Sequence, residues 1–116
     1  MKTTVFYNPE CSKCRRVREM LDERGESYEI VEYLKTPPDR ATLEGVVARL
    51  DTPPASVVRR DAHFAELGLR ESDCATVGQV VDLLLRHPEL LERPVVLRGN
   101  RAIVARPPER VLELLD

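Results

Sequence analysis

The chain has 116 residues, 42% hydrophobic and 33% charged, which suits one domain with a single core and argues against wholesale disorder. Its 18 Lys and Arg against 20 Asp and Glu leave a formal net charge of −2, which disfavours a general nucleic-acid or anionic-membrane binder. Three cysteines exclude a closed disulfide framework, and no apolar run reaches the length of a signal peptide or membrane span, so the expected setting is the reducing cytoplasm.

Thr3–Tyr7 is β-branched and aromatic and reads as a first strand. Asn8-Pro9-Glu10 breaks it. A helix follows over residues 12–24, with Cys14, Val17, Met20 and Leu21 on one face and Gly25 where a C-terminal cap belongs. Residues 28–33 read as a second strand, parallel to the first through a right-handed crossover. From Asp39 to about Leu91 the pattern is helical. Leu43, Val46, Val47 and Leu50 form one stripe, and shorter segments follow at 55–60 and 63–67. Thr76-Val77-Gly78-Gln79 has capping-box spacing and opens a helix carrying Val80, Val81, Leu84 and Leu85, which stops at His87-Pro88. Val95–Leu97 and Ala102–Val104 form a hairpin around Arg98-Gly99-Asn100-Arg101. Pro107 and Pro108 then start a last helix with Val111, Leu112 and Leu115 on its apolar face.

The order β-α-β, helical block, β-β-α is that of an α/β, thioredoxin-like fold with a mixed four-stranded sheet. The expected organisation is one domain over residues 1–116. Its core spans about 1–38 and 92–116, and a helical insertion spans about 39–91.

Asn8-Pro9-Glu10-Cys11-Ser12-Lys13-Cys14-Arg15 carries the chemistry. Cys11 falls at a helix start, where unpaired N–H groups and the dipole favour a thiolate or a bound oxyanion, with Lys13 and Arg15 as nearby cations. Cys14, one turn on, has two readings: a redox partner for Cys11, or a small buried hydrophobe on the apolar stripe. A zinc site would need Cys74, His63 or His87 to complete it, and none forms a paired ligand motif, so no metal is expected. Cys74 reads as a bystander. Fifteen of the eighteen cations are Arg, a bias that reflects genome composition more than function.

Taken together, these motifs resemble the glutaredoxin-coupled arsenate reductases of the ArsC family. The likeness also rests on Tyr33-Leu34-Lys35-Thr36-Pro37-Pro38, on Arg59-Arg60 ahead of Glu66-Leu67-Gly68-Leu69, and on His87-Pro88, Arg93-Pro94 and Arg106-Pro107. It implies that Cys11 attacks arsenate, and that Arg59 (or its neighbour Arg60), Arg93 and Arg106 bind the oxyanion. Asn8, Ser12, Arg15, Arg60 and Pro94 would be supporting positions, with the Arg93–Pro94 bond cis. It also implies no bound cofactor, glutathione as thiol co-substrate, glutaredoxin as partner, arsenite as product, and a monomer that binds neither nucleic acid nor membrane.

Two positions depart from the family pattern. Tyr7 stands where many members have His, and Cys14 stands where many have Ser. A second thiol at Cys14 could act as a resolving thiol and shift the reductant towards thioredoxin. Two other readings compete: an Spx-type redox-sensing regulator that binds RNA polymerase, and an ArsC-like thiol reductase of another substrate. Arg106 and Asn8-Pro9 favour the arsenate reductase, because regulators of the Spx type lack the arginine before the last helix.

Overall fold

Successive residues of a strand point to opposite faces of its sheet, and the first strand buries both of its faces. In the computed structural model, which describes residues 2–115, β1 (Thr3–Tyr7) pairs in parallel with β2 (Glu29–Glu32). On its other side β1 pairs antiparallel with β3 (Val95–Arg98), which continues antiparallel into β4 (Arg101–Val104). The sheet order is β2-β1-β3-β4, with Val5 opposite both Ile30 and Val96, and Val96 opposite Ile103. This is the mixed four-stranded, thioredoxin-like sheet. Met1 and Asp116, the ends of the expected 1–116 domain, lie outside the described residues.

The two faces hold separate cores. Val5, Tyr7, Val96 and Ile103 pack under α1 (Ser12–Glu23) and the C-terminal segment, together with Cys14, Val17 and Leu21. Phe6 and Val95, one residue out of phase, face the helical block of α2 (Arg40–Arg49), α3 (Ala62–Glu66) and α4 (Val77–Arg86). α1 ends in a Schellman motif. Gly25 takes φ +67, its N–H reaches Asp22 O, and the Glu26 N–H reaches Leu21 O. The β3–β4 turn is Gly99-Asn100, with φ +61 at Gly99 and no positive φ at Asn100, the pattern of a type II′ hairpin.

Three expectations need correction. The second strand is shorter than 28–33, because the chain is already turning at Tyr33, where the Lys35 and Thr36 N–H groups both return to Glu32 O. On α4 it is Leu83, with Val80, Val81 and Leu84, that is buried, while Leu85 is exposed. The final segment, Pro108–Leu114, is a 3-10 helix, whose three-residue period buries Leu114 with the expected Val111, while Leu112 and Leu115 pack on that core only partly buried. Among the described residues no helix is long and apolar enough to cross a membrane.

Candidate active site

The turn from β1 into α1 is built by short-range hydrogen bonds. Asn8 Oδ1 accepts the Glu10 N–H at 3.0 Å, and Asn8 O accepts the Cys11 N–H at 3.0 Å. Arg15 reaches back and donates from Nη1 to Pro9 O at 2.8 Å, so it braces the turn. Cys11 is the N-cap of α1 with extended backbone, φ −92 and ψ 120. At that position a side chain faces the unpaired N–H groups of the next residues.

These surroundings decide the charge on the two thiols. Burial pushes the Cys11 thiol up. The Cys14 N–H, the Cys14 thiol, the Arg93 guanidinium and the Lys13 N–H together outweigh it, and the result lies below the ordinary 9.0. Cys14 goes the other way. Burial, joined by the Cys11 charge, pushes it up to about 12. The pair therefore divides into one half-buried sulfur whose ionised form is favoured and one buried sulfur held protonated.

A second group of residues is mounted on a short antiparallel bridge between Val58 and Leu91. The Arg59 N–H donates to Leu90 O and the Glu92 N–H donates to Val57 O, each at 2.7 Å. This ties the helical block to the segment that enters β3. Arg93 follows directly, and its bond to Pro94 is cis. Its Nε is buried without a hydrogen-bond partner. Arg106 follows β4 and donates from Nη1 to Arg93 O at 2.9 Å, while the Ala105 N–H holds Pro94 O. Glu92 joins the group. Its Oε1 lies 3.6 Å from Arg106 Nη1 and 3.9 Å from Arg59 Nε. Tyr33 lies beside them. Burial pushes its hydroxyl up in pKa, opposed first by the positive charge of Arg93 and less by that of Arg59.

Cys11, Arg93, Arg59 and Arg106 are thus linked through Glu92, Tyr33 and the Arg93 backbone, whereas Arg60 turns away and pairs with Glu71 at 2.8 Å. Ser12 is exposed at the first helical position and makes no side-chain hydrogen bond among the described residues. Cys74 is buried in a 3-10 turn, where its thiol donates to Glu71 O. His63 and His87 both approach Glu89, and the described residues hold no cluster of three His, Cys, Asp or Glu able to grip a metal ion. Sequence reasoning missed Glu92 and Tyr33. The available signal for Tyr33 was its place in the Tyr-Leu-Lys motif, whereas Glu92, one position ahead of Arg93-Pro94, carried none of its own.

Chemically, the arrangement offers a thiol whose ionisation is favoured and three forked cations, which suits a tetrahedral oxyanion. The ArsC family description matches residues 6–114 of the chain. The chain is 40% identical to an arsenate reductase of Neisseria meningitidis serogroup A, over 96% of each sequence. It is 35% identical to an arsenate reductase of Escherichia coli K12, over 97% of this chain and 79% of that one. Among solved structures, an arsenate reductase from Vibrio cholerae superposes with a TM-score of 0.88 at 30% identity, covering 98% of each chain.

Proposed function

The chain belongs to the ArsC family, and from that premise we propose that it reduces arsenate to arsenite, with Cys11 as nucleophile and Arg59, Arg93 and Arg106 as the oxyanion site. The observation that carries this reading is the buried Arg93 Nε without a partner, next to a thiol whose ionised form is favoured. An unpaired buried charged donor is costly, and an oxyanion supplies the missing acceptor. Guanidinium groups stay charged at any working pH, so they offset the repulsion between thiolate and substrate.

The Cys11 thiolate forms an S–As bond, and one arsenate oxygen takes up a proton and leaves as water. Two electrons are then required. Two external thiols, glutathione and glutaredoxin, supply them and leave joined as a disulfide, while arsenic passes from the pentavalent to the trivalent state and a second arsenic-bound oxygen leaves as water with the two thiol protons. Water cleaves the remaining S–As bond, which releases arsenite and restores Cys11. No bound cofactor is needed. A Cys14 thiol that is buried and held protonated up to about 12 supports external thiols over Cys14 as the resolving group. The setting we infer is a cytoplasmic monomer.

The test is arsenate-dependent NADPH oxidation, coupled in parallel to glutathione with glutaredoxin and to thioredoxin. Wild type is expected to turn over with glutaredoxin, Cys14→Ser to keep that turnover, and Cys11→Ala to lose it entirely. Absence of turnover in both systems overturns the reading. Loss confined to thioredoxin in Cys14→Ser would make Cys14 a resolving thiol.

A further inference from the structure

An acidic side chain inside an anion site needs a reason, and Glu92 is in that position. Its side chain is 22% exposed and its carboxylate sits between Arg59 and Arg106, with Oε1 turned to both and taking the Arg93 N–H at 3.4 Å. At 3.6 and 3.9 Å these are ion pairs rather than hydrogen bonds, so neither guanidinium is held in a fork by Glu92. Oε2 has no hydrogen-bond partner among the described residues.

The geometry points to Glu92 as a specificity-determining residue, whose Oε2 accepts a hydrogen bond from the hydroxyl of a protonated tetrahedral oxyanion. This inference rests on the oxyanion-site reading above. A carboxylate repels an anion unless a proton lies between them. Arsenate and phosphate carry at least one hydroxyl at neutral pH, whereas sulfate and selenate carry none. A site built to pair with a hydroxyl rejects the analogue that lacks it far better than shape alone does. Glu92 therefore admits arsenate and phosphate and turns away sulfate. Rejection of phosphate as a substrate is left to the thiol chemistry at Cys11.

The test is the rate at which iodoacetamide alkylates Cys11 at neutral pH and constant ionic strength, with inorganic phosphate or sulfate as protectant. In wild type, half-protection by sulfate is expected to need at least about ten times the concentration needed for phosphate, the discrimination of one charge-assisted hydrogen bond. In E92Q the sulfate-to-phosphate ratio is expected to collapse, because the amide neither repels sulfate nor demands a proton. E92D keeps a carboxylate and is expected to keep the preference. Thermal melts of each variant check folding, and E92N takes the place of E92Q if the latter melts early.

An unchanged ratio in E92Q overturns the inference. So does an equal gain for both anions, which would mean that Glu92 only neutralises the arginines. A wild type that turns over arsenate yet shows no phosphate preference overturns this inference alone. A wild type that neither anion protects and that has no arsenate turnover overturns it together with the oxyanion site.

Discussion

An unpaired N–H on a buried guanidinium costs about 1–3 kcal/mol, and Arg93 Nε is left in that state beside the sulfur it helps to ionise. Its value to the protein then depends on the planar fork. Lysine keeps the charge but presents one compact ammonium in place of two parallel donors. Arg93→Lys is therefore expected to lower kcat/KM for arsenate by at least about tenfold, the worth of one charge-assisted hydrogen bond. The Cys11 alkylation pKa should move much less, since a positive charge remains nearby. Steady-state kinetics beside an alkylation pH profile separates the two effects. At this scale the sequence was informative about Cys11 and the three arginines, because each sits in a distinctive dipeptide or at a strand-to-helix turn. Glu92 was not legible. One acid among twenty looks like solvated surface until the bridge between Val58 and Leu91 sets it against two arginines.

Elements differ in how much of their geometry is written locally. α4 is specified by its own start: Thr76 Oγ1 accepts the Gln79 N–H at 3.2 Å, and Gln79 Oε1 accepts the Thr76 N–H at 3.1 Å. Thr76→Ala removes half of that box and is expected to cost about 1 kcal/mol, or about 4 °C in Tm for a chain of this size. KM for arsenate should stay unchanged, because the cap is remote from Cys11; calorimetry and kinetics on one preparation check both halves. α1 and the hairpin were legible for the same local reason, through Gly25 and Gly99 at positive φ. The last segment was not. Its apolar residues fit an α-helix and a 3-10 helix nearly equally, and packing of Val111 and Leu114 against the sheet face decided the period.

At the scale of the whole molecule, the sheet divides two cores that differ in what they shelter. The α1 side holds a thiol, Cys14, that would be an anion at high pH if it met water. Its pKa rises from an ordinary 9.0 to about 12, so the folded state holds that proton more tightly than the unfolded chain does. The associated stability is present in full below about 9 and is lost as pH climbs towards 12. Burial pushes Tyr33, on the opposite core, in the same direction. Melting temperature is thus expected to fall over this alkaline range, and Cys14→Ser should remove part of the fall. A series of melts from neutral pH upwards measures it.

The bridge between Val58 and Leu91 has a consequence for the protein's own persistence. Arg59 and Glu92 are brought to Arg93 and Arg106 only when the helical block has docked, so the proposed oxyanion partners do not exist together in the unfolded chain. An anion seated there acts as a removable staple across that seam. At a hundred times its Kd it would add about 2.7 kcal/mol to the native state. Resistance to heat and proteolysis would then track the surrounding pool of protonated oxyanions.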